Sequence, residues 1–179
     1  MSFTRSRSGK DEVQKRACEV FRRALVSPRW GDLLKRRRDY YFTSAPEFRV
    51  ESARCILEKG FGLFNLASAV KTICGAWHTS HRMHEQNKKV CLLGCGGVDD
   101  LRHYAACALW RRLFNEVPEL ACGPREELFH VRCVAGAARC ARGFQIYSLL
   151  KFRTSSPSFE RAKEFLAALG SEYPYKAQS

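Results

Sequence analysis

The sequence predicts a mainly α fold: a small helical domain organised around a Cys-Cys-His-Cys (CCHC) zinc knuckle, with helices on either side. Three observations carry this. Apolar residues recur at helical spacing in several segments. No pair of strand-like runs is joined by a convincing hairpin turn. Finally, Cys91, Cys95, His103 and Cys107 are separated by three, seven and three residues. Zinc takes four N or S ligands in a tetrahedron, and gaps this short let a turn and the chain after it supply two ligands each.

Taken in order, residues 1–9 read as disordered. Val13, Ala17, Val20, Phe21, Ala24 and Leu25 mark a helix over 10–26, ended by Ser27-Pro28. The basic run Lys35-Arg36-Arg37-Arg38 stands beside Tyr40, Tyr41 and Phe42. Such a run either binds phosphate and stacks bases or forms a solvated helix end with its aromatics turned inward; it is also a weak nuclear-import signal. A short helix over 47–58 stops at Gly60 and Gly62. Residues 63–77 read as a buried helix, with Leu63, Leu66, Ala67, Val70, Ile73 and Cys74 on one broad face.

A polar segment follows, then the knuckle at 91–98. A helix is expected to start near Asp99 or Asp100, both good N-cap types, and to run to about Asn115 before Pro118. Residues 125–152 read as helical, weakened at Gly136 and Gly143. Ser156-Pro157 opens a last helix and Gly170 closes it. The expected organisation is a basic N-terminal helical region over 1–62, a zinc-knuckle segment over 63–117 and a C-terminal helical region over 118–179.

The metal reading rests on spacing. On a helix, residues four apart share a face, so His103 and Cys107 are placed to grip one ion. Gly94, Gly96 and Gly97 let the backbone turn tightly around it. Four protein ligands make a closed, structural site for one zinc. The competing reading is of buried thiols beside a satisfied histidine. His78, His81 and His84, with Cys74 just before them, suggest a second metal site less strongly than they suggest exposed polar histidines. Cys18, Cys55, Cys122, Cys133 and Cys140 read as core thiols.

Composition points to a partner. The chain has 179 residues, 45% of them hydrophobic, enough for one or at most two small domains with a packed core. Lys plus Arg number 31 against 18 Asp plus Glu, a net charge of +13. A globular domain so basic is expected to meet a polyanion, nucleic acid first and an anionic membrane surface second; the alternative is a solvated basic surface with no dedicated partner. No apolar run approaches the ~20 residues of a membrane span. Nine cysteines, an odd number spread along the chain, do not read as a secreted disulfide framework. The first ten residues lack the apolar stretch of a secretory signal. The expected location is therefore nucleus or cytoplasm. An Arg- and Ser-rich start leaves a transit peptide open, although Asp11, Glu12 and Glu19 come early for one.

The residues around the knuckle extend the reading. Trp77-His78-Thr79-Ser80-His81-Arg82, then Lys89-Val90-Cys91 and Cys95, then Asp99-Asp100, His103-Tyr104, Cys107 and Trp110 resemble the zinc-binding C-terminal segment of non-LTR retrotransposon reverse transcriptases. In that family a Trp and a Thr-x-x-Arg element precede the Cys pair, an acidic residue precedes His, and a Trp follows the last Cys. The resemblance spans roughly residues 70–113, a quarter of the chain. Many members place four residues between His and the last Cys, where this chain has three. The resemblance implies association with RNA or DNA and, as a further partner, a retroelement polymerase.

Catalytic signatures are missing. Asp99-Asp100 lacks the preceding aromatic and the palm sequence of a polymerase. No phosphate-binding glycine loop, nucleophile elbow or deaminase motif occurs. The expected function is a non-catalytic nucleic-acid-binding module in which Lys88, Lys89, Arg102, Arg111 and Arg112 meet phosphates, with His78, Arg82 or Trp77 against bases; Trp77 reads more readily as a core residue under the knuckle. Two alternatives stand beside it: a protein-interaction adaptor docking through Phe144, Ile146, Tyr147, Leu149, Leu150 and Phe152, and a degenerate retroelement fragment with no activity of its own.

Overall fold

The computed structural model of the chain describes residues 63–130 and 133–172. The helices expected over 10–26 and 47–58, the basic run at 35–38, and Cys18 and Cys55 lie outside the described residues. Within them the fold is mainly α. Helix α1 spans Leu63–Ile73, α2 Leu101–Ala106, α3 Ala108–Asn115, α4 Val134–Arg153 and α5 Phe159–Glu172, with a 3-10 turn at Pro118–Leu120. Among the described residues the sole β pairing is one antiparallel bridge between Val90 and Val98.

Helix α1 buries Leu66, Ala69, Val70 and Ile73, an i, i+3, i+4, i+7 stripe that it lays on α4. It ends four residues before the expected Trp77. Gly75 adopts a left-handed φ of 63°, its N–H bonds to the Thr72 carbonyl, and the Ala76 N–H bonds to the Lys71 carbonyl at 2.6 Å. This paired closure satisfies the last helical carbonyls and turns the chain. Trp77 drops into the core with no exposed surface. Its Nε1–H donates to Thr72 Oγ1 at 2.9 Å, and that hydroxyl donates to the Cys140 carbonyl at 2.6 Å.

Trp77 is the centre of an aromatic cluster. Tyr147 lies 4.8 Å from it, Tyr104 and Phe129 5.5 Å and Trp110 5.9 Å, between ring centroids. Tilted and edge-on pairs at these distances add to simple area burial. The cluster joins the chain before the knuckle, the helices after it and α4 in one core.

Helix α4 is buried along most of its length and packs on α1, α5 and the 3-10 turn. It starts at Val134, later than the expected 125. The Leu128 carbonyl, which a helix from 125 would use internally, is taken by Arg139, which is wholly buried: its Nε donates to Leu128 O at 2.8 Å, and its Nη1 to the preceding Leu120 O and Ala121 O at 3.2 and 2.8 Å. Phe144, Ile146, Tyr147 and Leu150 are core residues and Leu149 packs against that core. The face expected to dock a partner is therefore occupied within the fold, apart from exposed Phe152.

Helix α5 is capped by Ser158, whose Oγ accepts from the Arg161 N–H at 3.2 Å, rather than opened at Ser156-Pro157. It buries Ala162, Leu166 and Leu169 and runs through Gly170 to Glu172. None of the helices among the described residues is long and apolar enough to cross a membrane.

The two helical glycines differ in role. A Cβ on Gly143 would stand 2.7 Å from Phe129 Cε1 and 3.3 Å from Trp77 Cζ2, whereas one on Gly170 would meet nothing within 4 Å. Alanine favours a helix over glycine by about 1 kcal/mol, and overpacking a core costs about 1–3 kcal/mol. Gly170→Ala is expected to raise the urea midpoint and Gly143→Ala to lower it. A stabilised Gly143→Ala would show that the aromatic cluster yields freely.

Candidate metal centre

The approach to the knuckle is a turn that caps itself. Thr79 Oγ1 accepts the Arg82 N–H at 3.2 Å and the Thr79 carbonyl accepts the Met83 N–H at 2.9 Å. His84 ends the turn at a φ of 53°, a conformation that histidine tolerates better than most residues. Ser80 Oγ accepts the Lys89 N–H at 3.0 Å. The chain then pairs with itself: Asp99 N–H to Lys89 O at 2.9 Å and Cys91 N–H to Gly97 O at 2.6 Å. Between these paired stretches of backbone Gly94 and Gly96 take φ of 86° and 80°, values that a side chain would strain.

This loop and the start of the following helices bring four side chains together. The donor atoms of Cys91, Cys95, His103 and Cys107 all lie within 4.8 Å of one another, and the group can hold a metal ion. Cys95 Sγ stands 3.1 Å from His103 Nε2 and 3.7 Å from Cys107 Sγ. A tetrahedral site with metal–sulfur bonds near 2.3 Å has S···S edges of about 3.8 Å. Cys91 and Cys107 are buried, His103 is half-buried and Cys95 is exposed.

Contrary to the expectation from spacing, His103 and Cys107 are not successive turns of one helix. Cys107, at φ −67° and ψ 122°, ends α2 and serves as the N-cap of α3. A cysteine at this position gains from the positive end of the next helix. The hydrogen bond with Cys91 pulls the Cys107 thiol down to about 5 against its burial, helped by the N–H groups of Trp110 and Leu109. The same hydrogen bond, with burial, pushes Cys91 up. The contact thus favours the thiolate on Cys107, the form that ligates a metal.

Gly97 supports His103 by lacking a side chain. A Cβ there would fall 2.1–2.6 Å from the Nδ1, Cε1 and Nε2 atoms of the ring. The imidazole edge that carries both nitrogens rests on the glycine.

Asp99 fastens the centre to the core. Its side chain has no exposure. Oδ2 accepts the Ser80 N–H at 2.7 Å, and Oδ1 accepts the Tyr104 hydroxyl at 2.8 Å. Tyr104 Oη in turn accepts the Leu92 N–H at 3.2 Å. From α4, Tyr147 Oη lies 3.2 Å from Oδ1 and 2.8 Å from the His78 carbonyl, and Lys151 Nζ lies 3.6 Å from Oδ2. The expected N-cap role falls to Asp100, and Asp99 is a buried anion surrounded by donors. Burial and then the Asp99 charge push the Tyr147 hydroxyl well above the usual tyrosine range. The sequence placed an acidic residue before His103, but nothing in it signalled Tyr147 or Lys151 as its partners.

Of the expected nucleic-acid-binding residues, Arg82, Lys88, Lys89, Arg102 and Arg112 are exposed and Arg111 is half-buried. Arg82 Nη1 reaches the Trp77 carbonyl at 3.4 Å, Lys89 stands 4.0 Å from Glu85, and the Arg112 guanidinium lies 5.1 Å from the Phe159 ring centroid. Arg111 is turned inward: it donates to Cys122 Sγ at 3.1 Å, to the Gly123 carbonyl and to the Glu126 carbonyl at 2.9 Å. It ties α3 to the following loop and is committed there. Trp77 is a core residue. His78, His81 and His84 do not form a converging group; the second such group among the described residues is Glu126, His130 and Cys133. Cys122 and Cys140 are buried as expected, while Cys133 is exposed.

Comparison with protein-family models, with curated proteins and with solved structures gave no match.

Substitution of Gly97 by Ala is expected to push the His103 ring off the centre and weaken metal binding about tenfold or more. Competition with a chelating dye measures this, and an unchanged affinity would remove the cradle role. A second expectation concerns alkali. The Tyr147 pKa is raised in the fold, so the stability it confers is complete below the unfolded value near 10 and is lost as pH rises above it. Tyr147→Phe is expected to flatten the decline in melting temperature above about pH 10; equal declines in the two proteins would contradict this.

Proposed function

We propose that the chain is a non-catalytic, zinc-dependent nucleic-acid-binding module that resembles the C-terminal segment of non-LTR retrotransposon reverse transcriptases. The observation that carries the reading is the coincidence of two features. A compact Cys3His group is built from the loop and helix starts over 91–107, and Arg82, Lys88, Lys89 and Arg102 stand exposed on the segments around it. Zinc is the metal that suits three thiolates and an imidazole at these spacings. Four protein donors leave no coordination position for water, so its role is structural.

The net charge of +13 favours a polyanionic partner. Val90 and Val98, paired across the bridge, are 63% and 48% exposed beside Lys88 and Lys89. Apolar surface next to cations offers unpaired bases a contact while the cations neutralise phosphate. RNA and DNA both meet these requirements.

Each phosphate neutralised releases condensed counterions, so affinity falls with salt on a log–log slope of about −0.7 per contact for single strands. Binding of single-stranded RNA and DNA oligonucleotides to the zinc-loaded protein, followed by anisotropy across a salt series, is expected to show this fall. Lys88→Ala with Lys89→Ala is expected to flatten the slope by about 1–2 units. A salt-independent affinity, or no binding at low salt, would refute the nucleic-acid role.

A further inference from the structure

Among the described residues, metal-ligating side chains converge in one place besides the Cys3His group. Glu126 and His130 lie in the loop before α4, and Cys133 is the N-cap of α4. One donor atom from each lies within 4.8 Å of the others. We propose that Glu126, His130 and Cys133 form a second, weaker site for a divalent transition-metal cation of the zinc and cobalt class.

His130 Nε2 lies 2.6 Å from Glu126 Oε1 and 3.0 Å from Arg139 Nη2. In the metal-free chain the ring N–H and the guanidinium both donate to that carboxylate oxygen. A cation bound between Nε2 and the carboxylate would take the place of the Nε2 proton, which would move to Nδ1 or to solvent. Arg139 also donates to Glu126 Oε1 and is held by the Leu120, Ala121 and Leu128 carbonyls. It acts as the fixed outer partner that orients a ligating carboxylate.

A glycine cradle like the one at the Cys3His group supports the same assignment. A Cβ on Gly136 would lie 2.3–2.8 Å from Cε1, Nδ1 and Nε2 of His130, as one on Gly97 would lie 2.1–2.6 Å from the same atoms of His103. In both places a glycine admits the edge of the imidazole that carries its ligand nitrogens. The Gly136 N–H also donates to Cys133 Sγ at 3.4 Å, which fixes the sulfur at the head of α4.

The donor set fixes the cation class. One oxygen, one nitrogen and one sulfur suit zinc or cobalt, while a thiolate is a poor ligand for calcium or magnesium. Three protein donors with exposed Cys133 leave a position for solvent, so the site is weaker than the four-donor centre.

The test is titration of the metal-free, reduced full chain with Zn2+ against a chelating dye, repeated with Co2+ and followed by absorption. Two ions per chain with distinct affinities are expected. The weaker is lost in Cys133→Ser and in His130→Gln, and the tighter persists in both. The second Co2+ is expected to add about a third of the near-ultraviolet thiolate absorption of the first, since one sulfur ligates it rather than three. In Cys95→Ser the tighter ion is lost and the weaker remains, which separates this site from the Cys3His centre. A single equivalent in the parent protein, or two equivalents of unchanged affinity in Cys133→Ser, would overturn the proposal. Cys133 is exposed, so its replacement leaves the core intact.

Discussion

The carboxylate of Asp99 is the contact through which the knuckle and the helical core become one structure. It is fully buried, with the Ser80 N–H, the Tyr104 and Tyr147 hydroxyls and the Lys151 ammonium around it. Those donors come from the turn before the knuckle, the first helix after it, and the long central helix. A buried charge without partners costs several kcal/mol, and removing one member of a buried pair costs about 3–5 kcal/mol. The arrangement therefore tolerates little displacement, and it sets the position of the Val98–Asp100 backbone from which the Cys3His group is built.

The aromatic cluster extends the same constraint. Tyr104 and Tyr147 place their hydroxyls on Asp99 and their rings on Trp77. Polar specificity and apolar burial are thus served by the same two side chains. Trp77 is fastened in turn through Thr72 to the Cys140 carbonyl of the central helix. Trp77 fills the core, the Thr79-to-Arg82 turn caps the approach, and the acidic residue before His103 anchors the knuckle. All of these roles serve to bring Cys91, Cys95, His103 and Cys107 together.

Two histidines rest on glycines in this fold, and the consequences for reading glycine are general. Gly97 and Gly136 are required by their neighbours' rings, and Gly143 by the aromatic cluster, whereas Gly94 and Gly96 are required by their own backbone angles. Gly136 and Gly143 look alike in the sequence as weak points of a helix. Their use is visible only from what packs against them.

The sequence alone determined the mainly helical character, the identity of the four converging side chains, the placement of glycines in the turn and the basic surroundings of the knuckle. These follow from local rules: helical periodicity, ligand type, short spacing and charge all act over a few residues. Tertiary structure decided the rest. It broke the expected helix at Cys107, because a thiol gains more at the head of a new helix than in the middle of an old one. It turned Arg111 inward onto carbonyls, started α4 at Val134 with Arg139 holding the carbonyls of Leu120, Ala121 and Leu128 before it, and brought Cys133 beside His130 and Glu126. It also gave Asp99 partners nearly fifty residues away. A buried charge finds its partners across the whole chain, and that distance is what local pattern does not carry.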